Sequence, residues 1–76
     1  MDLETMEDFV RSLHEDIVDA MKDADANGDP HYRLGVRRLS KAFFDKWELF
    51  GLSQMLPSLV SIDVDAWYAG KSSGLR

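Results

Sequence analysis

From Leu3 to Ala24 the apolar residues Leu3, Met6, Val10, Leu13, Ile17, Met21 and Ala24 recur every three or four positions. That is the period of an α-helix with one apolar stripe, not the alternation of a strand. A second run, Tyr32, Val36, Leu39, Phe43, Trp47 and Phe50, repeats at spacings of four, three, four, four and three, and predicts a second helix of the same kind. Between the two stands Ala26-Asn27-Gly28-Asp29-Pro30. Asn27 or Gly28 can take the left-handed conformation that ends a helix, Asp29 can cap the next one, and Pro30 suits its first turn. Asp2 is placed to cap the first helix and Glu4 favours the positive end of its dipole. Asp23 and Asp25 lie at the wrong end of that dipole, so the last turn is expected to fray. The pattern therefore predicts an all-α fold built on an antiparallel helical hairpin, with helices over about 3–26 and 30–50.

After Gly51 the periodicity weakens. Ser53 can cap a short helical segment over Gln54, Met55 and Leu56, and Asp63 another from Val64 to Tyr68. The apolar run Ser58-Leu59-Val60-Ser61-Ile62 fits an extended or a helical conformation, because short apolar runs do not separate the two; the helical reading is the one adopted. One or two short C-terminal helical segments thus complete a single domain over residues 1–70, and residues 71–76, Lys71-Ser72-Ser73-Gly74-Leu75-Arg76, have the composition of a flexible tail.

Composition narrows the class. A chain of 76 residues buries only about 60% of the surface its unfolded form exposes, so a partner or a second copy has room to add to its core. With no cysteine there is no disulfide framework, thiolate metal site or thiol nucleophile. No apolar run approaches the roughly 18 residues that suggest a membrane span, and the acidic start lacks the basic region of a secretory leader. The expectation is a cytoplasmic protein with no membrane association.

The net charge of −5 hides a division along the chain. Residues 1–30 hold ten acids and two bases, a balance of −8; residues 31–50 hold five bases and two acids, a balance of +3; residues 51–76 balance at zero. On a helical wheel Asp8, Ser12, Glu15, Asp16, Asp19 and Asp23 fall opposite the first apolar stripe, so this acidic face points away from the second helix. A solvated surface explains it simply; a docking face for a basic partner, or a carboxylate array imitating nucleic-acid phosphates, explains it functionally. In the second helix Arg33, Arg37 and Lys41 recur every fourth residue as one basic ridge. Such a ridge can hold phosphates or a partner's carboxylates, or it can lie along the hairpin flank and pair with Glu4, Glu7 or Glu48. Leu34, Phe44 and Leu49 sit off the second stripe, and Phe9 and Val18 flank the first. Five of the eight aromatics lie between residues 32 and 50. A homodimer seam through Leu34, Phe44 and Leu49, or complete coverage by the C-terminal segment, would account for them.

Three motifs come into consideration. Asp23-Ala-Asp25-Ala-Asn27-Gly28-Asp29 resembles the first half of an EF-hand loop, with oxygen ligands at positions 1, 3 and 5 and glycine at 6, but position 12 is Leu34 instead of glutamate and position 8 is Pro30. No metal site is expected. Phe50-Gly51-Leu52-Ser53-Gln54 resembles the turn of a helix-turn-helix DNA-binding motif over Phe43 to Val60. Trp47 stands where that motif has a small residue, Pro57 interrupts the second helix, and no lysine or arginine lies between Gly51 and Val60. Binding of nucleic acid is consequently disfavoured. In size and acidity the chain is similar to acyl carrier proteins, but their Asp-Ser-Leu attachment site is absent, so no prosthetic arm and no other cofactor is expected.

For catalysis, His14 lies at the edge of the first stripe and His31 in the first turn of the second helix, neither beside a nucleophile or in a metal spacing. His14 reads as a helix-flank residue. The sequence thus points to a small acidic non-enzymatic interaction or regulatory protein, of the inhibitor, antitoxin-like, immunity-like or phage-regulator kind. It would dock through Asp8, Glu15, Asp16, Asp19 and Asp23 onto another protein with a basic surface. The alternatives are a helix-turn-helix-like DNA-binding regulator using Arg33, Arg37 and Lys41, and a structural subunit of a larger assembly.

Overall fold

Asp2 opens the first helix, α1 (Leu3–Asn27), in the computed structural model, which describes residues 2–70. Its carboxylate accepts the Thr5 N–H at 2.7 Å, one of the first-turn amides that has no partner inside the helix. The hydrogen bonds with Thr5 hold the Asp2 carboxyl below its ordinary pKa. Gly28, at φ 76°, ends α1 in a conformation that a side chain would strain. Asp29 then accepts the His31 N–H at 2.9 Å and Pro30 opens the second helix, α2 (Pro30–Leu49). Two short helices follow, α3 (Leu52–Met55) and α4 (Val64–Tyr68). Among the described residues there is no strand, and the expected all-α hairpin with short C-terminal helices is the fold observed. The expected tail over 71–76 lies outside the described residues.

Helix α2 is the centre of the assembly, packed against α1, α3 and α4. At about 1.5 Å per residue, the 25 residues of α1 span roughly 37 Å and set the long dimension of a body measuring 39 × 20 × 19 Å. Because α2 is shorter, with 20 residues, the first turn of α1 runs past its end, and Leu3 stays exposed despite its place in the stripe.

The core joins Ile17, Met21 and Ala24 of α1 to Val36, Phe44 and Trp47 of α2, and these to Leu56, Ile62, Val64 and Trp67. Its phase on α2 differs from the expected one. The buried row is Val36, Ser40, Phe44 and Trp47, whereas Leu39 and Phe50 of the predicted stripe are exposed. The C-terminal segment is the cause: α4 and the chain before it cover the flank that carries Phe44, which rotates the packed arc toward that side and leaves Leu39 on the other. Phe44 is accordingly only 3% exposed, and the expectation that it joins Leu34 and Leu49 in a self-association seam is corrected.

Three local expectations are corrected as well. Ser53 lies inside α3, whose N-cap is Gly51 at φ 68° with no side-chain cap; the serine hydroxyl instead donates to Glu48 at 3.1 Å. Residues 58–62 are neither helix nor strand. Pro57 brings no N–H, and the carbonyl of Val60 is taken by His14 at 2.8 Å instead of by a backbone N–H of a regular element. The last turn of α1 is intact to Asn27, because the acids expected to fray it have partners elsewhere. Asp63 caps α4 as expected, accepting the Ala66 N–H at 3.0 Å.

Candidate functional site

Arg33, Arg37 and Lys41 do lie along one flank of α2, and α4 sits on that flank. Arg33 donates to the carbonyls of Tyr68 and Trp67 at 2.8 and 3.0 Å. These are carbonyls at the C-terminal end of α4, where helix acceptors lack intrahelical partners and a cation meets the negative end of the dipole. The third Arg33 contact is Asp25 of α1 at 3.4 Å, and its guanidinium lies 5.0 and 4.8 Å from the Trp67 and Tyr68 rings. Asp25 also accepts the Trp67 indole N–H at 2.8 Å. One arginine thus ties α1, α2 and α4 together. Arg37 and Lys41 both reach Asp65, at 2.9 and 3.3 Å, and Lys41 approaches Asp45 at 3.8 Å. The hydrogen bond from Lys41, with the charges of Lys41 and Arg37, holds the Asp65 carboxyl below its usual value. The ridge therefore pairs with Asp25, Asp45 and Asp65, not with Glu4, Glu7 or Glu48, and each of its cations is already engaged within the chain.

His14 is not a flank residue. It is buried, donates through Nε2 to the Val60 carbonyl, and stands edge-on to Phe44 with ring centroids 5.6 Å apart and 5.0 Å from Trp47. A carbonyl oxygen can only accept, so Nε2 carries a proton in this bond. The imidazole serves as a polar rivet holding the irregular segment to α1. His31 is exposed at the start of α2. No cluster of metal-ligating side chains occurs among the described residues, and the EF-hand-like run is helical from Asp23 to Asn27, with Asp29 acting as a cap.

Asp8, Glu15, Asp16 and Asp19 are all exposed. Among the described residues none of them meets a basic side chain. Asp23, grouped with them by the wheel, is exposed but accepts the Tyr32 hydroxyl at 2.9 Å, a bond that raises the tyrosine pKa because it needs the phenol protonated. An open hollow of about 330 Å³ lies between α2 and the segment leading to α4, lined by Lys41, Phe44, Asp45, Glu48 and residues 61–64. Its lining contains no histidine, and its charged groups are Lys41, Asp45, Glu48 and Asp63.

The remaining surface of note is apolar, and it lies on other residues than the seam of Leu34, Phe44 and Leu49 that the sequence suggests. At 3.6 residues per turn, Met6, Phe9 and Leu13 share the flank of α1 that faces away from His14 and Asp25, and hence away from α4. Tyr32, Leu39, Phe43 and Phe50 share the corresponding flank of α2, opposite Arg33, Arg37 and Lys41. The hydrogen bond from Tyr32 to Asp23 bridges the two helices on this same side. All of these apolar residues except Phe43 are exposed. Of the three residues expected at a seam, Phe44 is buried, Leu34 half-buried and Leu49 exposed, with the latter two on the outer side of α2. A sign of the true arrangement was present in the sequence: two full-length stripes plus apolar flanks exceed what two helices can bury between themselves.

Comparison of the chain with protein-family models, with curated proteins and with solved structures gives no match. No helix of the described residues is long and apolar enough to cross a membrane.

Proposed function

We propose that this chain is a non-enzymatic interaction or regulatory protein that docks through the outer face of α1 onto another protein with a basic surface. The observation carrying this reading is an asymmetry in how charge is used. Every cation of the α2 ridge is paired within the chain, while Asp8, Glu15, Asp16 and Asp19 stand exposed on the helix and, among the described residues, form no ion pair. Unpaired like charges on one helix repel and contribute nothing to folding. An opposing basic surface would relieve that repulsion and steer association.

A regulator that meets DNA through Arg33, Arg37 and Lys41 is the weaker reading. It would have to withdraw these side chains from Asp25, Asp65 and the α4 carbonyls, and α3, with four residues, is too short to serve as a recognition helix.

The test is affinity capture from the source cell with the wild-type chain and with a Glu15→Lys, Asp19→Lys variant, in parallel with circular dichroism. The proposal expects a basic protein retained by the wild type, released by raised salt, and lost from the variant while helicity is unchanged. Equal retention by both chains removes the acidic face as the docking site.

A further inference from the structure

The two-helix layer has one closed face and one open face. On the closed face lie His14, Asp25, Arg33, Arg37 and Phe44, covered by the irregular segment and by α4. On the open face Met6 is 48% exposed, Phe9 59%, Leu13 37%, Leu39 62% and Phe50 68%. These five form two rows, one on each helix, with nothing polar between the rows except the Tyr32 to Asp23 bond at one end.

From this arrangement we infer that the open face is the seat of a second copy of the same chain, two hairpins closing face to face into a four-helix bundle. Area supports it. An aromatic side chain offers roughly 150–250 Å², so the exposed fractions amount to on the order of 600 Å² of apolar surface per copy. A symmetric pair then buries on the order of 1,200 Å², which reaches the range of specific, stable interfaces. Patches of this size on a free monomer are uncommon, and a chain of this length gains most from sharing a core.

Charge selects both the occupant and its orientation. The leading edge of the face on α1 carries Asp16, with Asp23 further along, and the leading edge on α2 carries Lys46; all three are exposed. A two-fold axis parallel to the helices sets α1 of one copy over α2 of the other, so edges of opposite sign meet and neighbouring helices run antiparallel, the up-down arrangement of four-helix bundles. A two-fold axis across the helices would set α1 on α1 and acid against acid. The bundle leaves Asp8, Glu15 and Asp19 on its outside and takes only Asp16 to the seam, so it is compatible with docking through the remaining acids.

The experiment is sedimentation equilibrium of the full chain over a micromolar concentration series, with Leu39→Glu, Leu13→Glu and Leu49→Glu variants. All three positions are exposed, and circular dichroism establishes that each variant is folded. The wild type is expected at twice the 8.7 kDa chain mass. Leu39→Glu and Leu13→Glu are expected to raise the dimer dissociation constant by about tenfold or more, and Leu49→Glu to leave it unchanged. A wild-type monomer throughout the series overturns the proposal, as does a dimer that Leu49→Glu dissociates and Leu39→Glu does not. For orientation, the chain has no native cysteine, so Phe9→Cys and Phe50→Cys chains can be mixed with a short thiol cross-linker. Links between the two kinds of chain support α1 over α2; links only between like chains overturn it.

Discussion

The two faces of the α1–α2 layer are built from the same kinds of residue and have opposite fates. Each carries aromatic and aliphatic side chains at helical spacing. The closed face has, in addition, polar groups that fix what lies on it: Arg33 reaching the α4 carbonyls, Asp25 accepting from the Trp67 indole, and His14 holding the Val60 carbonyl. Such bonds contribute direction more than energy, and they decide where a short segment with little secondary structure of its own comes to rest. The open face has hardly any of these groups. It lacks a device to recruit the chain's own C-terminal segment, and its apolar rows remain available to another molecule. Burial here follows from which hydrogen-bonding groups stand at the margins of a stripe, not from hydrophobicity alone.

The sharpest way to break this contrast is to remove what the closed face covers. Trp67 is 3% exposed between Arg33 and Asp25, and Trp67→Ala is expected to cost about 3–5 kcal/mol of stability, measured by urea unfolding. A loss below about 1 kcal/mol, the level typical of surface substitutions, would mean that α4 is not part of the core. Next in size is Arg33. Its contacts are charge-assisted but partly solvated, so Arg33→Ala is expected to cost about 1.5–3 kcal/mol, and Arg33→Lys most of that, because an ammonium cannot span two carbonyls and a carboxylate with the same fork. Full rescue by lysine would show that only charge matters there. The smallest effect belongs to Asp65. Its carboxyl is held below the ordinary value in the folded chain, so its pairing stabilises fully at pH above the unfolded carboxylate value and is lost as pH falls through the folded one. Acid unfolding curves of the wild type and of Asp65→Asn should therefore converge at low pH and separate slightly toward neutrality, the variant being the less stable. Constant separation at all pH values would contradict the assignment.

How far the sequence could be read follows from the same contrast. The hairpin was legible because Asp2, Gly28, Asp29 and Pro30 punctuate it and each acts locally, within four residues along the chain. Asp63 and α4 were legible for the same reason. The acidic face was legible because it depends only on the phase of one helix. The phase of α2 was not, since the choice between Leu39 and Phe44 as the buried position depends on a segment more than fifteen residues away in sequence. The clamp was out of reach too: Arg33 meets Tyr68 across 35 positions, His14 meets Val60 across 46, and no local pattern announces such pairs. Ser53 looked like a cap because serine commonly is one, but Gly51 with its left-handed backbone starts α3 two residues earlier than a Ser53 cap would allow.

Oxidative footprinting of side chains by hydroxyl radicals, at dilute and at high protein concentration, tests the open and closed faces most directly. The account predicts that Met21, Trp47 and Trp67 are protected at both concentrations. Met6, Phe9 and Phe50 should be modified when dilute and protected when concentrated, while Met55, exposed and not among the open-face residues, should be modified throughout. Strong modification of Trp67 in dilute solution, or equal modification of Met6, Phe9 and Phe50 at both concentrations, would contradict it.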